Sequence, residues 1–177
     1  MNSSKDKISY GFLKIISLRS PFNITTENII DISGVSRRTV YNAFNSKDEI
    51  CEYILTKITN KITLIIKKAK KSFLNYNKEK IYINMIIKSI IEQIHFDRNT
   101  IINVYRSTYM GALLEKRLEV IYHKAFDFIV SDRFQLDIFI ILFIDLTKKW
   151  ISQSIPKSPV DFHDEFISIK NNYLKNI

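Results

Sequence analysis

Scarcity sets the first limits on this chain of 177 residues. Three glycines and three prolines leave few places for sharp turns, which excludes an architecture of many short strands and favours long helices. A single cysteine, Cys51, excludes an internal disulfide and fits a reducing compartment; it reads as a small buried side chain rather than a redox sensor. Long hydrophobic runs are missing as well. The longest, Ile138 to Ile144, lies between Asp137 and Asp145 and is far too short to span a bilayer. The apolar segment from Ile8 to Ile16 is broken by Ser9, Gly11 and Lys14, so no export signal and no membrane partner are expected, and the expected location is cytoplasmic. There is no glycine-rich phosphate loop, nucleophile elbow or H-E-x-x-H pair, and Asp and Glu are scattered among Lys; neither an enzyme nor a cofactor is expected. His95, His123 and His163 have no ligand spacing with Cys51 or a carboxylate pair, so no metal is expected.

The hydrophobic fraction is 46%, enough for a sizeable core, and the chain reads as a folded all-α protein. Its formal charge is +9, unevenly spread: residues 61 to 80 hold seven Lys against one acidic residue, while residues 1 to 60 hold eight basic against six acidic. Lys67, Lys68, Lys70 and Lys71 therefore read as a solvated helix face rather than a nucleic-acid site. The basic excess still favours approach to DNA through long-range steering.

The informative stretch runs from Thr25 to Ile50. Thr25 is a helix N-cap, with Ile24 placed to pack on Ile29 as a hydrophobic staple. Ile29, Ile30 and Ile32 are expected to be buried, and Gly34 ends the helix in the left-handed conformation. Ser36 caps a second helix in which Val40 and Phe44 stand four apart and face the core, leaving Arg38, Asn42, Thr39 and Tyr41 on the other side. Ser46 and Glu49 form an S-x-x-E capping box, which places Lys47 among free N–H groups that suit a phosphate. Arg can bridge two acceptors on guanine, Asn can do the same on adenine, and Thr offers a hydroxyl and a methyl; Tyr41 and Lys47 suit phosphates. With Thr25 and Arg37 added, the expected DNA-contacting set is Thr25, Arg37, Arg38, Thr39, Tyr41, Asn42 and Lys47.

On Thr25, Ile29, Gly34, Val35, Ser36, Thr39, Tyr41, Phe44, Ser46, Lys47, Glu49 and Ile50, the stretch resembles the helix-turn-helix of the TetR family of bacterial transcription regulators. Ile30 and Ser33 depart from the alanines usual there, and Ala43 from the frequent His. The resemblance implies a DNA-binding head, residues 1 to 60, and a regulatory and dimerisation body, residues 61 to 177.

In chain order, Ile8, Phe12, Ile15 and Ile16 predict a first helix over residues 5 to 19, stopped by Pro21. Ile50, Ile54, Ile58, Ile62, Ile65 and Ala69 predict a long helix from Ser46. The pattern breaks at Asn75 to Asn77. Ile81 to Phe96 is apolar on several sides and reads as a buried helix. A connection at Asp97 to Asn99 leads to a helix through Tyr105, an interruption is expected around Gly111, and helix resumes from Leu113 to about Val130. Gln135 to about Ser154 is another long helix. Ser158 as N-cap, Pro159 at the first position and Asp161 open the last one, along which Phe162, Phe166, Ile169 and Tyr173 recur.

The resemblance is weaker over the body, where it rests on a Trp-Ile pair, a Ser-Pro turn and an acidic, aromatic last helix. It implies a homodimer built from the last two helices. Phe139, Phe143, Trp150, Phe162 and Phe166 are candidates for that seam, with intramolecular core as the competing reading. It further implies a small apolar ligand, for which Tyr105, Tyr109, Met110, Tyr122, His123 and Phe126 are candidates, against ordinary packing. The expected function is a double-stranded-DNA operator binder, a repressor released by such a ligand. The alternative is a protein-interaction co-regulator whose body docks a partner protein.

Overall fold

The computed structural model describes residues 3–16, 18, 23–73, 79–127, 130 and 132–173. Among these there are nine helices and no strand, so the chain is all-α as expected: α1 Ser4–Ile16, α2 Thr26–Ser33, α3 Arg37–Ala43, α4 Lys47–Phe73, α5 Glu79–Phe96, α6 Arg98–Tyr105, α7 Thr108–Phe126, α8 Arg133–Ser152 and α9 Pro159–Tyr173. The expected stop at Pro21 and the break at Asn75 to Asn77 lie outside the described residues. Two compact units emerge. One comprises Met1–Ile58 with Asn99–Leu114, the other Thr59–Arg98 with Glu115–Ile177.

In the first unit α1 buries Ile8, Phe12, Leu13, Ile15 and Ile16, the i, i+4, i+7 and i+8 pattern of one helix face. It crosses α2 closely because Gly11 has no side chain: a Cβ there would lie 3.0 Å from Ser33 Cβ. That crossing decides which side of α2 is inward. Ile29 and Ser33, four apart, face α1, and Ile32 is turned out and 44% exposed, against the expectation that it is core. Val40 and Phe44 are both buried, but Phe44 is the extended residue that closes α3 rather than a member of it. Its ring meets Tyr53 edge-on at 5.6 Å.

Along α4, Ile50, Ile54, Ile58 and Ile62 are buried, and Ile66 rather than Ile65 continues the stripe to Ala69. Steps of four overshoot the helical period by about 40° each, so the buried face winds around the helix, and Cys51, Leu55 and Thr59 are enclosed beside it. Cys51 is thus a packed side chain, with burial pushing its thiol up to about 11.

The second unit is built on α5, whose Ile86, Ile87, Ile90 and Ile91 are wholly buried and which packs on α9. The link to α6 is shorter than expected, Asp97 alone. Gly111 does not interrupt a helix: the break falls at Arg106 and Ser107, and Gly111 lies inside α7 with Tyr105 3.2 Å from where a Cβ would stand. Ser107 starts α7 by accepting from Met110 N at 3.3 Å.

Phe139, Phe143 and Phe166 form one cluster with Tyr122 and Phe126, with ring centroids 5.0 to 6.4 Å apart. Trp150 stacks on Phe162 at 4.4 Å and donates from Nε1 to Lys157 O at 2.9 Å. All five rings offered as a dimer seam are therefore buried within this chain, because α8 and α9 turn their aromatic faces toward each other. What α8 presents outward is Phe134 and Ile141, at 72% and 55% exposure, with half-buried Ile138 and Leu142 beside them.

Candidate nucleic-acid interface

The turn motif is assembled by its caps. Thr25 Oγ1 accepts from Asn28 N and Asn28 Oδ1 accepts from Thr25 N, both at 3.2 Å, a reciprocal box at the start of α2. Gly34 takes φ 67° and donates to Ile30 O at 2.9 Å. Ser36 Oγ then accepts from Thr39 N at 3.1 Å, starting α3. The box expected at Ser46 is half formed. Ser46 Oγ accepts from Glu49 N at 3.2 Å, but the Glu49 carboxylate reaches one residue further back, to Asn45 N at 2.8 Å. Those bonds, backbone first and the Asn45 amide second, hold the Glu49 carboxyl below its ordinary range.

Around this frame the DNA-contacting candidates fall into two groups. Arg38, Tyr41 and Asn42 are exposed and, among the described residues, make no hydrogen bond or ion pair. Arg38 and Asn42 stand four apart on one face of α3, with Val40 buried behind them. Their donors and acceptors are free for base edges. Thr25, Arg37 and Thr39 are already engaged: Thr25 in its cap, Thr39 Oγ1 with Ser36 Oγ at 2.8 Å, and Arg37 Nη2 with Glu27 Oε1 at 2.5 Å. Lys47 lies exposed in the first turn of α4. Glu27 is the residue that sequence reasoning missed. An acidic residue ten positions before an arginine carries no local signal, since their meeting depends on how α2 and α3 cross.

The ligand candidates divide between the two units. Tyr105, Tyr109 and Met110 belong to the first unit, and Tyr122, His123 and Phe126 to the second. Met110, Tyr122 and Phe126 are fully enclosed, while Tyr109 is 44% exposed. His123 Nε2 stands 3.3 Å from Asp137 Oδ1, and its Nδ1 is buried with no hydrogen-bond partner among the described residues. A cleft of about 230 Å³ opens between α8 and α9 over Leu146, Trp150 and Ile169, and none of the six lines it. No group of His, Cys, Asp and Glu among the described residues could hold a metal ion, and no helix among them is long and apolar enough to cross a membrane.

No protein-family model matches this sequence, and no curated protein does. Solved structures match its fold over nearly the whole length. One from Syntrophomonas wolfei, described as a TetR-family transcriptional regulator, superposes with a TM-score of 0.71 at 14% identity, covering 96% of this chain and 93% of that one. A TetR transcriptional regulator from Streptococcus agalactiae gives 0.61 at 15% identity, covering 94% and 92%. The TetR family repressor AlkX from Dietzia, implicated in biodegradation of n-alkanes, gives 0.52 at 13%, covering 96% of each chain.

Proposed function

We propose that this chain, whose fold is that of the TetR-family regulators, is a DNA-binding transcription regulator and not an enzyme. Residues 1 to 60 serve as its DNA-binding head and residues 61 to 177 as its regulatory and dimerisation body. The observation that carries the reading is the pairing of buried Val40 with outward, unengaged Arg38 and Asn42 on one short capped helix. Such a helix offers a major groove two side chains suited to guanine and adenine, with Tyr41 and Lys47 for phosphates.

One head is a small reader, and two are needed for register and affinity on a two-fold operator. The outward stripe of Phe134, Ile138, Ile141 and Leu142 on α8 suits a second copy better than the enclosed rings do, because it is apolar surface that would otherwise stay in water. Release by a small apolar molecule is the finer part of the reading. Its support is the aromatic pair Tyr122 and Phe126 on the same helix as a buried polar atom, His123 Nδ1, with no partner among the described residues, the mix typical of ligand sites. The expected location is the cytoplasm.

Sequencing the duplex fragments selected by the purified protein tests the reading. A two-fold motif with a conserved guanine in each half is expected, and Arg38→Ala is expected to cost about 1 to 3 kcal/mol and relax that one position. If the variant bound every sequence as well as the parent, base reading by Arg38 would be wrong. A panel of apolar compounds that leaves the melting temperature unmoved would remove the ligand. Recovery of a stoichiometric protein partner with no DNA retained would favour a protein-docking co-regulator instead.

A further inference from the structure

Two arginines open α3 side by side, and the fold treats them differently. Arg37 Nη2 is held on Glu27 Oε1 at 2.5 Å across the turn, whereas Arg38 pairs with nothing among the described residues. Glu27 is itself held in place. It lies in the first turn of α2, where backbone N–H groups point outward and favour an anion. Its own backbone N–H, then the Arg37 charge, keep its carboxyl below the ordinary range, so it stays ionised and able to pair.

Resting on the reading of α3 as a DNA-reading helix, we infer that Glu27 is a positioning residue that sets sequence discrimination by holding Arg37 away from DNA and leaving readout to Arg38 and Asn42. A free guanidinium beside a reading helix strengthens binding to every duplex alike, since phosphate neutralisation is blind to sequence. Discrimination is the ratio of specific to non-specific affinity, so an arginine that raises the denominator lowers it. Pairing Arg37 with a carboxylate removes that contribution while keeping the chain's overall basicity. Both side chains are more than half exposed, at 59% and 55%, and such pairs add little to folding. A variant can therefore separate binding from stability.

The test uses the full chain, titrated on its selected operator and on random duplex across a salt series. Glu27→Gln, which keeps shape and removes charge, is expected to steepen the random-duplex salt slope by about one, tighten random binding at low salt, and lower the operator-to-random ratio. The double variant Glu27→Gln/Arg37→Gln, which replaces a neutralised pair by a neutral one, is expected to return the parental slope. A Glu27→Gln protein with the parental slope and ratio overturns the assignment. So does a double variant with a slope shallower than the parent's by about one, because Arg37 would then already touch phosphate in the parent. That second arm decides the matter even if Glu27→Gln fails to fold. A parent that binds no duplex at any salt overturns the DNA-binding reading itself, and the assignment with it.

Discussion

Asp6 shows how one carboxylate can tie a helix start to distant residues. Near the beginning of α1 it pairs with Lys57, accepts from Tyr53 Oη at 3.1 Å and accepts from Ser3 N at 3.1 Å. Lys57 is the largest of the causes that hold its carboxyl down to about 2, from an ordinary 3.8. A carboxyl depressed on folding stabilises the protein above its unfolded value, and that contribution disappears as pH falls through the folded one. Asp6→Asn should therefore melt lower than the parent at neutral pH, and the gap should close between 3.8 and about 2. A gap independent of pH in thermal melts would show that the charge is not what matters. Nothing in the sequence indicated this pairing, because Asp6 and Lys57 lie on different helices. Gly34 was legible, by contrast, since φ 67° is a local demand that glycine meets without strain.

Helix boundaries followed from local chemistry wherever a cap was present. Thr25, Ser36, Ser46 and Ser158 each accept from a backbone N–H three residues on, and each was readable. Gly111 was not. Glycine is a poor helix former on average, yet here it sits within α7 because the chain passes Tyr105 at that point and leaves no easy room for a Cβ. Within α8, Thr147 is buried and its Oγ1 has no hydrogen-bond partner among the described residues. A buried hydroxyl without a bond costs roughly 1 to 3 kcal/mol. Thr147→Val, of nearly the same shape, should raise stability by about 1 kcal/mol, which denaturant midpoints would register. A loss of stability would mean that the hydroxyl has a partner, such as bound water.

Assembly depends on which apolar side chains remain outside. With Phe139, Phe143 and Phe166 enclosed, Phe134 and Ile141 are the exposed apolar side chains on α8. Ile141→Glu should leave the helical signal unchanged and convert a dimer to a monomer in sedimentation. Losing the second head should weaken binding to a two-half-site operator by about 10²-fold or more, with single half-sites bound as before. If the variant stayed dimeric, the proposed face on α8 would be wrong.

The turn motif, its caps and its candidate readers were legible in the sequence because they depend on neighbours within a few residues: a hydroxyl three positions from an N–H, a glycine after a helix, two apolar side chains four apart. Partnerships across elements were not legible. Whether Ile32 is buried, whether an aromatic ring meets its own chain or another surface, and which of two adjacent arginines is free all follow from the crossing of helices. Gly11 against Ser33, α8 against α9 and Glu27 against Arg37 set those outcomes, and contacts between residues far apart in the chain leave no spacing to read.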